Sequence, residues 1–279
     1  MVIVLEITAA VFVLLAVIGL IYKPFSIYRN QPKQQNPMEG KQVVFVEDPS
    51  EPMNPDGVCG HLEAVGESIH KAGFYEAVVK RLLDIVISFF GMVLLSPLFL
   101  FLTIWIKIDD PGPVLFSQKR VGRNKRYFKL HKFRSMKMGS PHDVPTHMLD
   151  NPEQYLTKAG RFIRSHSFDE LPQIWDIFIG NMSIIGPRPA LWNQDYLTAE
   201  RDRYGANDIL PGLTGLAQIR GRDKLEIPEK ARLDGEYAKK LGIGMDIKCF
   251  LSSFKVFKGD RNVVEGGTGE MNRVRGNEK

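Results

Sequence analysis

The sequence predicts a mainly helical α+β fold: a monotopic membrane domain with a re-entrant broken helix and interfacial amphipathic helices, plus an N-terminal transmembrane helix. Three observations lead there. Two long apolar runs take a large share of the 44% hydrophobic residues in this 279-residue chain. The second run carries basic residues at both ends and a proline at its middle. The remainder alternates like a hairpin once and otherwise shows helical spacing.

The first run, residues 2–22, is apolar except for Glu6 and Thr8, and about 20 residues suffice to cross a bilayer as a helix. A cleaved signal peptide would carry basic residues before the run and a small-x-small site after it, and neither is present. Lys23, Arg29 and Lys33 follow instead. An uncleaved anchor over 1–22 is therefore expected, with the following chain on the cytoplasmic side by the positive-inside rule. Residues 23–78 read as a linker. The stretch 30–68 holds Pro32, Pro37, Pro52 and Pro55 and shows no clear periodicity, so a connection without regular structure is expected there.

The second run, residues 85–106, is flanked by Lys80 and Arg81 on one side and by Lys107, Lys119, Arg120 and Arg123 on the other. Both ends thus ask for the same membrane face. Ser96-Pro97 lies at the middle, where proline removes a backbone donor and the Ser96 hydroxyl is placed to satisfy the carbonyl set free. A re-entrant helix over 82–107 is expected, with an ordinary kinked span as the alternative.

After the turn at Asp109-Asp110-Pro111-Gly112-Pro113, residues 114–118 and 127–133 are strand-like around Gly122-Arg123-Asn124, which predicts a hairpin. Between 119 and 137 there are nine Lys or Arg and no acid. For most of these the simplest reading is a solvated basic face near anionic headgroups, with a few cations free to hold phosphate. No nucleic-acid motif accompanies them, so no nucleic-acid partner is expected. Cys59 and Cys249 are the only cysteines, far apart and without metal-like spacing, and the six histidines do not cluster with them, so neither a disulfide framework nor a zinc site is expected.

Residues 140–152 read as a loop and 156–163 as a short helix. The run Arg164-Ser165-His166-Ser167-Phe168-Asp169-Glu170 then precedes Leu171, Ile174, Trp175 and Phe178 at helical spacing. Locally, capping explains the acids first: Ser167 with Glu170 matches a capping box, and Asp169 is itself a suitable N-cap. A chemical reading stands beside it. A carboxylate is ionised at neutral pH and needs no base to act as nucleophile. Arg164 lies just upstream, and a neighbouring Glu170 supplies an oxygen for Mg²⁺, which takes one or two carboxylates plus substrate phosphates. Further on, Gly186-Pro187-Arg188-Pro189 and Leu210-Pro211-Gly212-Leu213-Thr214-Gly215 are turn-like and match neither a Walker loop nor a dinucleotide fingerprint. Ile247, Phe250, Leu251, Phe254 and Phe257 share one helical face, which suits a core helix and an interfacial one equally. Residues 260–279 are a tail.

These residues resemble the bacterial sugar transferases, small monotopic phosphoglycosyl transferases acting on polyprenyl phosphate. The resemblance covers about residues 79–259 and rests on ordered motifs: Lys80-Arg81-x-x-Asp84, Ser96-Pro97, Phe128-Lys129-Leu130-His131-Lys132-Phe133-Arg134, Arg164 through Gln173, Ile185-Gly186-Pro187-Arg188-Pro189, and Pro211-Gly212-Leu213-Thr214-Gly215. It implies a re-entrant helix broken at Ser96-Pro97. It also implies that Asp169 attacks the β-phosphorus of a UDP-sugar, releasing UMP, and that polyprenyl (undecaprenyl) phosphate then captures the phosphosugar to begin a surface glycan. Glu170, with Asp169, is implied as the Mg²⁺ site, and Arg164, Lys132, Arg134 and Arg188 as holders of phosphate or uridine. The location implied is a bacterial plasma membrane with the catalytic domain on the cytoplasmic face. A homo-oligomer, or contact with glycosyltransferases of the same pathway, stays open as a further partnership. The alternatives are a non-enzymatic membrane protein binding anionic lipid or a partner through its basic region, and ordinary glycosyl transfer with UDP as product.

Overall fold

The computed structural model describes residues 35–68, 70–140, 152–221 and 225–259. The expected anchor at 1–22, most of the loop at 140–152 and the tail at 260–279 lie outside them. The described part is α+β, with three two-stranded sheets set among helices.

A long helix, α1 (Arg81–Asp109), follows a π-helical turn at Tyr75–Lys80 and organises the rest. Over 75–109 it is apolar and long enough to cross a membrane, the one such helix among the described residues. Its 29 residues extend about 43 Å at 1.5 Å per residue. The helix runs on across Pro97, where a break was expected. Proline cannot donate to the carbonyl of Val93, and the Ser96 hydroxyl donates to that oxygen instead, at 2.8 Å. The orphaned acceptor is therefore satisfied within the helix.

One stripe of α1 is buried along its whole length: Asp84, Ser88, Met92, Ser96, Phe99, Leu102 and Ile106. The opposite face exposes Leu83, Val86, Ile87, Phe90, Leu94, Phe101 and Ile104. Both ends are tied to the same domain. At the start, Arg81 donates to the carbonyls of Ile177 and Phe178, both at 2.7 Å, and Asp84 accepts from the Ile184 amide at 2.9 Å. At the end, Asp109 accepts from the Ala159 amide at 2.7 Å. The Arg81 and Asp109 contacts are caps, a cation on the last carbonyls of one helix and a carboxylate on the first amides of another, while Asp84 holds the strand at Ile184.

The expected hairpin forms, with β3 (Leu115–Val121) starting one residue later and ending three residues later than read from the sequence, and paired antiparallel to β4 (Tyr127–Phe133) from Leu115↔Phe133 to Val121↔Tyr127. Asn124 and Lys125 take left-handed conformations to close it. Then come α2 (Lys158–Ser165), capped by the Thr157 hydroxyl on the Gly160 amide, and α3 (Gln173–Ile179), joined by a 3-10 turn at Phe168–Glu170. Phe99, Leu102 and Ile106 of α1 pack with Val114, Phe133, Ala159 and Ile163 as one core. A second core joins Ile185 of β5 (Ser183–Ile185), Leu216, Leu233, Tyr237 and Cys249. Around these sit α4 (Asp195–Asp202), β6 (Gly212–Thr214), α5 (Leu216–Arg220), α6 (Ile227–Lys239) and α7 (Ile243–Gly259).

Two readings are corrected. The segment 30–68 is not a plain connection over its described part: β1 (Lys41–Glu47) and β2 (Gly60–Glu67) pair antiparallel and dock on α4. Val43 is buried there, its amide donates to Asp202 at 2.7 Å, and Phe45 meets Tyr196 edge-on. The basic stretch 119–137 is not mainly a solvated face either. Only Arg123, Arg126 and Lys137 are exposed, while Lys125, Lys132 and Arg134 are buried. Each of the three is paired with a carboxylate, which offsets the cost of removing a cation from water.

Candidate active site

Asp169 is 6% exposed and sits in the 3-10 turn between α2 and α3. Ser167 enters this turn at φ 55°, a left-handed conformation that costs a non-glycine residue about 1 kcal/mol or more. Its side chain makes no capping bond, and the N-cap of α3 is Pro172. The helix therefore starts beyond both positions that local capping would have assigned.

Two cations from distant parts of the chain converge on the acids. Lys132, on β4, places Nζ 3.6 Å from Asp169 Oδ2 and 3.4 Å from Glu170 Oε1. Arg188 reaches Glu170 with both terminal nitrogens, Nη1 lying 3.4 Å from Oε2 and Nη2 in close contact with Oε1. Two adjacent carboxylates thus face two cations in a part-buried setting, where charges interact more strongly than in water.

The sheet geometry explains how Arg188 gets there. The two glycine-rich stretches noted in the sequence meet: β5 and β6 pair in parallel, Ser183 with Gly212 and Ile185 with Thr214. The amide of Gly186 donates to Thr214 O and that of Gly212 to Pro187 O, each at 2.8 Å. On the other flank Arg120 donates to Pro189 O at 3.0 Å and the Val121 amide to Ala190 O at 2.9 Å. Arg188 stands between these two anchorages, and Pro187 and Pro189 fix φ on either side.

Lys132 has its own fixture. The buried carboxylate of Asp176 in α3 accepts from the His131 amide at 2.9 Å and lies 2.8 Å from His131 Nδ1. This ties β4 to the helix that follows Glu170.

Arg164 lies in the last turn of α2, with Nε donating to Ser135 Oγ at 3.0 Å. Arg134, expected beside the other phosphate-holding cations, is committed elsewhere: Nη1 pairs with Asp110 Oδ2 at 2.8 Å and Nη2 with the Asp110 carbonyl. It fastens the end of α1. Ser96 and Pro97, expected at a break in the membrane helix, lie within the continuous α1. His131, Asp176 and the partners that hold 189–194 were missed by sequence reasoning. Asp176 and its partner lie 45 positions apart, and no local spacing joins them.

Among the described residues no group of three or more His, Cys, Asp or Glu gathers as a metal site. The acidic pair alone is the donor set that an Mg²⁺ completed by waters and substrate phosphates would need.

The chain is similar to the UDP-glucose:undecaprenyl-phosphate glucose-1-phosphate transferase of Escherichia coli, 38% identical over 188 residues, which cover 64% of this chain and 40% of that protein. It is 33% identical over 199 residues to the undecaprenyl-phosphate galactose phosphotransferase of Salmonella typhimurium, covering 64% and 40%. The matched region spans only about two-fifths of both those proteins. The exopolysaccharide production protein PSS of Rhizobium leguminosarum is 35% identical over 193 residues, 64% of this chain and 94% of that one. Residues 75–259, from the turn before α1 to the end of α7, match the family model for the bacterial sugar transferases, and the chain belongs to that family.

Proposed function

We propose that this chain transfers a sugar 1-phosphate from a UDP-sugar to polyprenyl phosphate, with Asp169 as nucleophile. The observation that carries this reading is the placement of Asp169 and Glu170 together with Lys132 and Arg188, in a turn whose flanking Phe168 and Leu171 pack on the core of the apolar helix α1. An ionised carboxylate repels phosphate, and the two cations offset that repulsion when a diphosphate arrives.

In the first step an Asp169 oxygen bonds to the β-phosphorus, and the bond from that phosphorus to the bridging oxygen breaks. UMP leaves with the electron pair. In the second step a phosphate oxygen of the polyprenyl acceptor bonds to the same phosphorus and the aspartyl bond breaks. The carboxylate is restored and a polyprenyl diphosphosugar is released. Lys132 and Arg188 hold the phosphate oxygens, and Arg164 holds the donor on the α2 side. Glu170 and Asp169 would hold Mg²⁺, which when bound neutralises phosphate charge; Glu170 would then exchange part of its pairing with Arg188 for the ion.

For membrane placement, we read α1 as re-entrant. A single pass would leave the two ends on opposite membrane faces, yet both ends of α1 cap helices of one domain and the stripe between is buried on it. Its outer apolar face and that of α7 would share one leaflet, with the basic flanks and the site on the cytoplasmic side. The names of the relatives, an exopolysaccharide production protein among them, support a role in beginning a surface glycan.

Supplying UDP-sugars, undecaprenyl phosphate and Mg²⁺ should release UMP. Asp169→Asn should abolish turnover in a folded protein, and intact-mass measurement after donor alone should show a phosphosugar adduct on Asp169. Release of UDP instead, or full activity of the Asn variant, would refute the mechanism.

A further inference from the structure

The hairpin β1–β2 lies outside the matched region 75–259, yet its connecting loop reaches the segment that carries Arg188. Asp56, in that loop, is 0% exposed. One carboxylate oxygen accepts from the Leu197 amide at 3.0 Å, in the first turn of α4. The other accepts from Gln194 Nε2 at 3.0 Å. The Gln194 side chain in turn accepts the Leu191 amide on its Oε1 at 2.9 Å, while the backbone amide of Gln194 donates to Leu191 O at 3.1 Å. Leu191 forms a bridge with Arg120, which also holds Pro189 O. Arg188 is the next residue, and it ends on Glu170.

We propose that Asp56 is a positioning residue for the transfer reaction: by fixing Gln194 it closes the 191–194 turn and sets the segment that aims Arg188 at Glu170. This rests on the phosphosugar-transfer reading for its kinetic part alone. The geometry makes the chain of dependence specific. Gln194 can satisfy the Leu191 amide only with its oxygen, so its amide nitrogen must find a second acceptor, and Asp56 is that acceptor. Without the carboxylate, a buried amide nitrogen and the Leu197 amide both lose their partner, and rotation of Gln194 to recover one bond gives up the other. The extension would thereby act on a reaction it does not touch.

The test uses the full chain in detergent or nanodiscs. Asp56→Ala should speed hydrogen exchange across 189–197 and leave β4 and α3 protected. It should lower kcat/KM for the UDP-sugar about ten- to a hundredfold, as expected when a binding group is displaced by about an ångström. In an Arg188→Ala background the same substitution should cost about twofold or less, because the effect runs through Arg188. Gln194→Met, which keeps Asp56 on the Leu197 amide, should reproduce the pattern if Asp56→Ala proves unstable. Exchange that speeds up in 41–67 alone, or kinetic losses that simply add to those of Arg188→Ala, would overturn the proposal. Absence of UMP release from the unmodified chain would refute the transfer reading instead, and the exchange result would still decide whether Asp56 orders 189–197.

Discussion

Gly186 and Gly212 meet backbone to backbone. A β-carbon on Gly212 would stand 2.1 Å from the Gly186 amide nitrogen and 2.6 Å from its Cα, atoms that cannot rotate aside. The β5–β6 pairing that sets Pro187-Arg188 therefore tolerates no side chain there. Gly212→Ala should lower stability by about 2–4 kcal/mol and lower activity with it. Gly66→Ala is the control: its nearest atoms are those of the flexible Gln42 side chain, at 3.7 Å, and a change within about 0.5 kcal/mol is expected. Unfolding of the two variants side by side checks this. Equal stability would mean that the two strands separate freely. At this scale the sequence was informative where chemistry is carried by single residue types: Asp169, Glu170, Lys132 and Arg188 do come together. It did not reveal the partner of Arg134, because nothing local says that Asp110 holds that guanidinium. The glycines stood out as turns, whereas close approach of two backbones is what requires them.

The helices divide by what their apolar residues face. In α1 the stripe from Asp84 to Ile106 is covered and the other side is open. In α7, Cys249 is buried while Ile247, Phe250, Leu251 and Phe254 are exposed. Composition gave both helices their apolar length, but the side that a core covers depends on elements far along the chain. The sequence accordingly left α7 open between core and interface. Its exposed face fits the leaflet placement proposed above. Leu251, 60% exposed, should accept Glu in detergent with a stability change within about 0.5 kcal/mol, against the 2–5 kcal/mol that a core leucine would lose. In bilayers a fluorophore on Leu251→Cys should be quenched by brominated lipid. No quenching, or unfolding on Leu251→Glu, would return α7 to the core. Ser96→Ala tests the long helix in the same spirit. It removes the hydroxyl that serves Val93 O beside Pro97, and a loss of about 1 kcal/mol is expected, read from thermal unfolding in micelles.

The described molecule is held together by charges that sequence spacing does not reveal. Lys125, 0% exposed, pairs with Asp202 at 2.7 Å, and Asp202 also takes the Val43 amide, so the hairpin, the β3–β4 turn and α4 share one buried network. Asp56 is the second fastening, 138 positions from Gln194. Burial pushes its pKa up to about 6, with Asp195 adding to the rise and the Leu197 amide, Gln194 and Lys230 opposing it. A carboxyl whose pKa is higher folded than unfolded stabilises the fold most below its unfolded value, near pH 4, and that contribution is lost as pH climbs through about 6. The rise corresponds to on the order of 3 kcal/mol. Other carboxylates titrate in the same window, so the measurement is a difference: unfolding of the unmodified chain in micelles minus that of Asp56→Asn, which cannot titrate there. The difference should favour the unmodified chain most at about pH 4, decline through about 6 and be flat above 7. A difference that grows with pH across that window would mean the ionised carboxylate is the form that the Leu197 and Gln194 amides favour, and that desolvation does not govern this fastening.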